Sequence, residues 1–317
     1  MAAVITGQHG SSELTENQKT DTIDALYTPL NETSREIRIL TLLAGRNDDT
    51  VECTLETAWL DDPGRYEALS YAWGGWSLPC SIFVDNRDFS ITTSLLTALQ
   101  HLRYPTAARR LWIDAICINQ IDKPEQTHQV QLMRDIYQRA SRVLVWLGPE
   151  EENSDLGMSA LAQAAIATED SPANTTETSE EAFSTLDLTA LRAIDSILTR
   201  AYWRRAWMRQ EIAVPQTDPL IICGYKAISW NSFWLGIDAS QAWIYEGEPY
   251  GFYITHFNDL ALARASFQIT DQFSWFDDRF KDGRKTNLYW LLESTKRALS
   301  TDPRDRVYSL LGLLKAF

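Results

Sequence analysis

Leu111-Trp112-Ile113-Asp114-Ala115-Ile116-Cys117-Ile118-Asn119-Gln120, read on through Asp122-Lys123-Pro124-Glu125 to Val143-Leu144-Val145-Trp146-Leu147, is the stretch that decides the fold. It opens with a short apolar run that stops at Asp114 and closes with one stopped by Gly148-Pro149. Continuous apolar runs of this length suit strands buried on both faces. Between them, Asp122 and Glu125 stand three apart around Pro124, the spacing of a capping box that opens a helix. Val130, Met133, Ile136, Tyr137 and Ala140 then share one face at helical period. Strand, helix and strand in that order predict a βαβ unit, hence a parallel sheet with a right-handed crossover.

Working outward, Glu36 to Leu43 and Val51 to Leu60 read as a hairpin around Gly45-Arg46-Asn47-Asp48-Asp49. Glu67 to Tyr71 is a short strand running into Ala72-Trp73-Gly74-Gly75. A second hairpin follows, Ser81 to Val84 and Asp88 to Ile91, turning at Asp85-Asn86-Arg87. Thr93 or Ser94 is the expected cap of a helix carrying Leu95, Leu96, Leu99 and Leu102.

Downstream, residues 150–187 shift to Glu, Asp, Ser, Thr and Ala and read as an acidic, mobile insertion with a short Ala-rich helix near Met158 to Ala167. Leu188, Leu191, Ile194, Ile197 and Leu198 restore helical order, and a second helix is expected over Ala201 to Ala213. Leu220 to Cys223 is a strand closed by Gly224, after which aromatic residues follow with no assignable period. Residues 1–28 are expected to be a flexible tail, and the apolar run Leu310 to Phe317 reads as a cut through a longer chain.

Composition narrows the function classes. The chain has 317 residues, 29 Lys+Arg against 43 Asp+Glu, and a formal charge of −14. Such a balance repels phosphate backbones and anionic membranes, so nucleic acid and membrane are not expected partners. With 44% apolar residues, 12 Trp, 12 Tyr and 11 Phe, a large core is available. No signal peptide or membrane span is legible, so a cytoplasmic protein is expected. Cys53, Cys80, Cys117 and Cys223 are scattered, and the four His show no ligand spacing, so no metal is expected.

Three clusters are candidates for chemistry. Ser70-Tyr71-Ala72-Trp73-Gly74 lies past a strand end, where open α/β sheets bind ligands; its small, aromatic and glycine residues suit a sugar or phosphate, or equally a core edge and a turn. Asp114 to Gln120 follows the next strand, with Asp114, Cys117, Asn119 and Gln120 either facing a ligand or capping backbone amides. Trp203, Trp207 and Glu211 recur every four residues, which a continuous helix would align on one face, as an apolar wall around a carboxylate or as a core stripe ending in an exposed Glu. Arg200, Arg204, Arg205 and Arg209 crowd the same segment and read as a solvated face or a local anion site.

Taken together these stretches resemble the heterokaryon incompatibility (HET) domain, a family best known from filamentous fungi. The resemblance rests on Tyr66 to Gly74, Leu111 to Gln120 with Asp122 and Glu125, Arg205 to Glu211, and Asp302 to Gly312, in family order over roughly residues 30–317. It implies a role in non-self recognition and cell death, usually with further domains C-terminal to this one. The HET domain is in turn remotely similar to TIR domains. That implies an α/β fold: a TIR-like (flavodoxin-like) parallel sheet over about residues 64–225, elaborated with N-terminal hairpins and a C-terminal, mostly helical extension over 226–317. In NAD⁺-cleaving TIR domains a Glu four residues after a Trp is catalytic, and the carry-over falls on Glu211. The hairpin after Gly74, the insertion at 150–187 and the C-terminal part depart from the TIR pattern.

The implied chemistry is cleavage of the nicotinamide–ribose bond, with NAD⁺ as substrate and no further cofactor. That bond breaks through an oxocarbenium-like sugar, and a cationic nicotinamide leaves without a general acid. Glu211 is the expected catalytic carboxylate, with Ser70, Tyr71, Trp73, Gly74, Asp114, Cys117, Asn119 and Trp207 as the substrate-facing set. The competing expectation is a non-enzymatic module that self-associates, or meets an upstream incompatibility partner, through aromatics such as Trp243, Tyr245 and Tyr250.

Overall fold

The computed structural model describes residues 26–74, 79–169, 188–244, 300 and 303–314. Expected features at residues 1–25, 75–78 and 170–187, and at Tyr245, Tyr250 and the side chain of Trp243, lie outside the described residues.

Nine strands form a single mixed sheet among the described residues. In chain order they are β1 (Glu36–Leu42), β2 (Glu52–Trp59), β3 (Glu67–Tyr71), β4 (Pro79–Val84), β5 (Arg87–Thr92), β6 (Arg109–Trp112), β7 (Arg142–Trp146), β8 (Leu220–Cys223) and β9 (Lys226–Ser229). Across the sheet the order is β5-β4-β2-β1-β6-β3-β7-β8-β9. The centre, β6-β3-β7-β8, is parallel throughout. Numbered among themselves these four strands run 2-1-3-4, the opening order of a flavodoxin-like sheet.

The predicted βαβ unit is present, with α3 (Lys123–Arg139) between β6 and β7. Its strands are not neighbours, because β3 slots between them and pairs with both. Burial explains the apolar runs: Val143 to Trp146 and Leu111 to Ile113 are all in the core. Asp122 caps α3 by accepting from Glu125 N at 3.0 Å. The expected reciprocal half of the box is absent, since the Glu125 carboxylate turns inward to Arg38.

Both hairpins form, and they join one sheet. β1 docks antiparallel on β6, and β4 docks in parallel on β2 over Glu52↔Phe83 and Cys53↔Val84. Asp85 and Asn86 both take left-handed backbone (φ 49° and 61°), the two-residue turn whose twist matches a hairpin. The following helix, α1 (Thr93–Leu102), is capped by Thr92 rather than Thr93 or Ser94. Tyr27 and Thr28, expected in the tail, are tied in: Tyr27 Oη donates to Ile116 O and Thr28 O accepts from Arg38.

The acidic insertion is corrected in its first half. Residues Ser154–Glu169 form a helix, α4, packed between α5 (Leu188–Leu198) and α7 (Trp230–Ile244). Gly157 and Gly236 explain how an Ala-rich helix fits there. A Cβ on Gly157 would sit 2.7 Å from Ala193 backbone, and one on Gly236 would strike Leu161 backbone. Small residues let these helices approach until their backbones touch, so burial comes without a marked apolar stripe. The predicted helix over 201–213 is also corrected. A 3₁₀ turn at Ala201–Arg204 gives way to a bend at Arg205-Ala206-Trp207, and only then to the short α6 (Met208–Ala213).

Candidate functional site

Ser70 and Tyr71 end β3, and Asp114 opens a single helical turn, α2 (Asp114–Cys117), just past β6. Both lie at the carboxyl ends of the parallel strands. The 2-1-3-4 order makes the β3–β7 boundary the point where the chain changes direction, the usual place for a ligand in such sheets. The bend at 205–207 swings α6 so that Glu211 points at Ser70. Glu211 is 0% exposed.

Three hydrogen bonds hold the Glu211 carboxylate. Arg205 clamps it in a bidentate pair, Nη1 to Oε2 at 2.8 Å and Nη2 to Oε1 at 3.0 Å. Ser70 Oγ donates to Oε2. A serine hydroxyl has a single proton, so with that proton given to Glu211 it accepts from Tyr202 Oη at 2.7 Å. Tyr202, Ser70 and Glu211 thus form a directed chain of donors ending on one carboxylate. Arg205 also lies over the Tyr202 ring, 5.6 Å from its centroid.

Asp114 sits beside this chain. Trp73 Nε1–H donates to Oδ2 at 2.9 Å and Ala115 N–H to Oδ1 at 2.7 Å. Burial pushes its carboxyl up to about 6; Arg205 works against that rise and the Glu211 charge adds to it. Tyr71, Tyr137 and Tyr202 are raised well above the ordinary tyrosine range, first by burial and in each case also by the Glu211 charge, so all three stay protonated donors. Burial pulls Arg205 down, but the adjoining Glu211 outweighs it and holds the guanidinium above its ordinary value. A small pocket of about 10 Å³, room for one water, opens between Tyr71, Trp73, Ile91, Leu95 and Ala115.

The expected site residues separate into those brought together and those used elsewhere. Ser70, Glu211, Asp114, Tyr71 and Trp73 share this region. Gly74 is exposed at the end of the strand-loop with φ +71°. Trp207 is half-buried and packs on the core, its carbonyl accepting from Glu211 N at 3.3 Å. Cys117 does not present a free thiol: it is fully buried, its sulfur accepts from Ile113 N at 3.3 Å, and burial raises it to about 12. Asn119 belongs to a structural clamp, its N–H held by Glu125 at 2.8 Å and its side chain making an Asx turn with Ile121 N. Trp203 is not aligned with Glu211, since the helix is broken; it stacks on Phe233 at 5.4 Å and donates to Ile197 O.

Two members of the site are not singled out by the sequence as partners of Glu211. Arg205 precedes Glu211 by six residues, a spacing that no helix brings face to face, and Tyr202 lies in the 3₁₀ turn. The arginine-rich segment is not a uniformly solvated face: Arg209 is buried and Arg205 faces the carboxylate.

Residues 66–211 match the family model for heterokaryon incompatibility protein (HET). These residues are a HET domain. The match opens at Tyr66 beside β3 and ends at Glu211 itself, so it encloses both halves of the hydrogen-bonded site. The chain is also 32% identical over 348 aligned positions to heterokaryon incompatibility protein 6, OR allele, of Neurospora crassa. That alignment covers 93% of this chain and 50% of the relative, so the chain spans about half the relative's length. No solved structure matches the chain. Among the described residues, no helix is long and apolar enough to cross a membrane.

Proposed function

We propose that this HET domain acts in fungal incompatibility, and that it does so as a TIR-like NAD⁺ glycohydrolase whose catalytic carboxylate is Glu211. The observation that carries the reading is Glu211 itself, a fully buried carboxylate delivered to Ser70 at the carboxyl edge of β3. Desolvation offsets most of the attraction in a buried charged pair, so the burial of Glu211 with Arg205 is weak evidence for a role in stability. The parallel order 2-1-3-4 supports the TIR-like part, and the relative's name supports the incompatibility part.

In this mechanism Glu211 holds the hydroxyls of the nicotinamide ribose and faces the positive charge that grows on the sugar as the glycosidic bond stretches. Ser70 fixes the carboxylate's orientation, and Tyr202 fixes Ser70. Trp73, anchored by its bond to Asp114, offers an aromatic face to a ring of the substrate. Nicotinamide leaves as a neutral base, so no side chain has to protonate it.

A second reading, a non-enzymatic self-associating module, draws support from the enclosure of Glu211 and the small size of the neighbouring pocket. Chromatographic detection of nicotinamide from NAD⁺, at low and high protein concentration, separates the two. Release that vanishes in Glu211→Gln supports the hydrolase, and a folded chain that releases none at either concentration leaves the adaptor.

A further inference from the structure

Both oxygens of Glu211 are occupied, Oε1 by Arg205 and Oε2 by Arg205 and Ser70. Three of the roughly four lone-pair sites of the carboxylate are thus filled, and the one left on Oε1 cannot accept both hydroxyls of a ribose diol. One of the two partners has to leave before the site can work, and they differ in freedom. Ser70 is buried on a central strand. The Arg205 side chain keeps 17% of its surface exposed and stands on the bend between the 3₁₀ turn and α6. A long side chain at the solvent boundary rotates outward without moving the backbone. Glu211, with 0% exposure, cannot.

We propose that Arg205 is a gate and a specificity-determining residue: paired with Glu211 at rest, it transfers its bidentate hydrogen bonds to the pyrophosphate of an incoming dinucleotide and so uncovers Glu211 for the ribose. The proposal rests on the reading of Glu211 as the ribose-binding carboxylate. A guanidinium fork fits phosphate oxygens as well as carboxylate oxygens, so the exchange replaces one bidentate anion by another. A ligand without phosphate offers no such exchange and meets a closed site. Glu211 and the ligand's phosphate therefore compete for a single cation, and weakening one partner strengthens the other.

Calorimetric titration of the 317-residue chain with ADP-ribose tests this, using wild type, Glu211→Gln, Arg205→Gln and the double variant. Glu211→Gln is expected to bind about tenfold tighter than wild type or more, since the competing charge is gone. Arg205→Gln and the double variant are expected to bind at least about tenfold weaker than Glu211→Gln. Adenosine, which lacks phosphate, is expected to show neither the gain in Glu211→Gln nor the loss from Glu211→Gln to the double variant. The double variant has no orphaned buried charge, so weak binding there is not misfolding. The gate is overturned if Glu211→Gln binds ADP-ribose no tighter than wild type, if the double variant binds like Glu211→Gln, or if adenosine follows the ADP-ribose pattern. Nicotinamide release from the same wild-type preparation separates the two ideas. No release with the expected binding pattern sinks the hydrolase alone, and release with a flat pattern sinks the gate alone.

Discussion

Among the described residues, two arginines clamp a buried carboxylate in a bidentate pair, and the two pairs differ in what else holds the arginine. Arg38 meets Glu125 in a bidentate pair at 2.7 and 2.8 Å, and Arg205 meets Glu211 at 2.8 and 3.0 Å. Arg38 also donates to Thr28 O and Cys117 O, lies 4.8 Å from the Tyr27 ring centroid, and is 2% exposed. Glu125 accepts in addition from Asn119 N. The first pair therefore ties β1, α3, the N-terminal segment and the loop after α2 into one unit, with each charge held from several sides. At the second pair the carboxylate is fully enclosed, while the Arg205 side chain keeps 17% of its surface exposed and meets the Tyr202 ring as its other neighbour. Geometry at the ion pair does not distinguish a clamp from a gate; the number of other groups holding the arginine does.

The comparison breaks most decisively at Glu211. Glu211→Gln keeps the shape of the side chain but removes its charge and one of its two acceptor oxygens, and nicotinamide release is expected to fall about 10²–10³-fold, the usual loss when a group facing transition-state charge is removed. Nicotinamide chromatography reads it directly. Glu125→Gln, the same change at the clamp, is expected to act on stability instead. It strands Arg38 in the core at a cost of about 3–5 kcal/mol, measured as a lower urea midpoint. Replacing both Arg38 and Glu125 by Met should recover much of that loss, because no unpaired charge then remains.

A smaller effect sharpens the picture of the site. The folded chain holds Asp114 at about 6 against 3.8 for the free side chain, so it binds the proton more tightly than the unfolded chain does. The stabilisation this gives is complete below about pH 4 and is lost as pH rises through about 6. Asp114→Asn should remove that slope and raise stability above pH 6 by less than the ~3 kcal/mol that the shift represents, since its one amide oxygen can accept from Trp73 or from Ala115 but not from both. Denaturation at pH 5 and pH 8 checks it: a variant with the wild-type slope would show that Asp114 is not buried as an acid. Smallest is the hairpin turn, where Asn86→Ala should cost about 1 kcal/mol through its positive φ, without touching either pair.

How much of this was legible in the residues follows from which forces are local. The hairpins, the short strands and the face of α3 follow from apolar period and turn chemistry, which act over a few neighbours, and they appear as expected. The Ala-rich helix expected near Met158 to Ala167 is present as α4 but longer and packed rather than mobile, because its burial depends on Gly157 and Gly236 meeting α5 and α7, a matter of shape between distant segments. The helix over 201–213 was overextended because helical spacing at Trp203, Trp207 and Glu211 says nothing of a bend at Arg205 to Trp207. Asn119 and Cys117 were placed toward a ligand because chemistry-bearing residues near a strand end look alike until their partners are known.

By itself, the sequence determined the α/β class, the strand and helix inventory around the βαβ unit, the HET motifs and Glu211 as the carboxylate to watch. Only the tertiary structure decided that β3 lies between β6 and β7, that Glu211 is enclosed rather than exposed, and that Arg205 and Tyr202 complete its surroundings. The physical reason is range: periodicity and capping record how a residue meets its near neighbours, whereas Ser70 and Glu211 are 141 residues apart. Their meeting is fixed by the strand order and one bend, and neither leaves a repeat or a spacing in the chain.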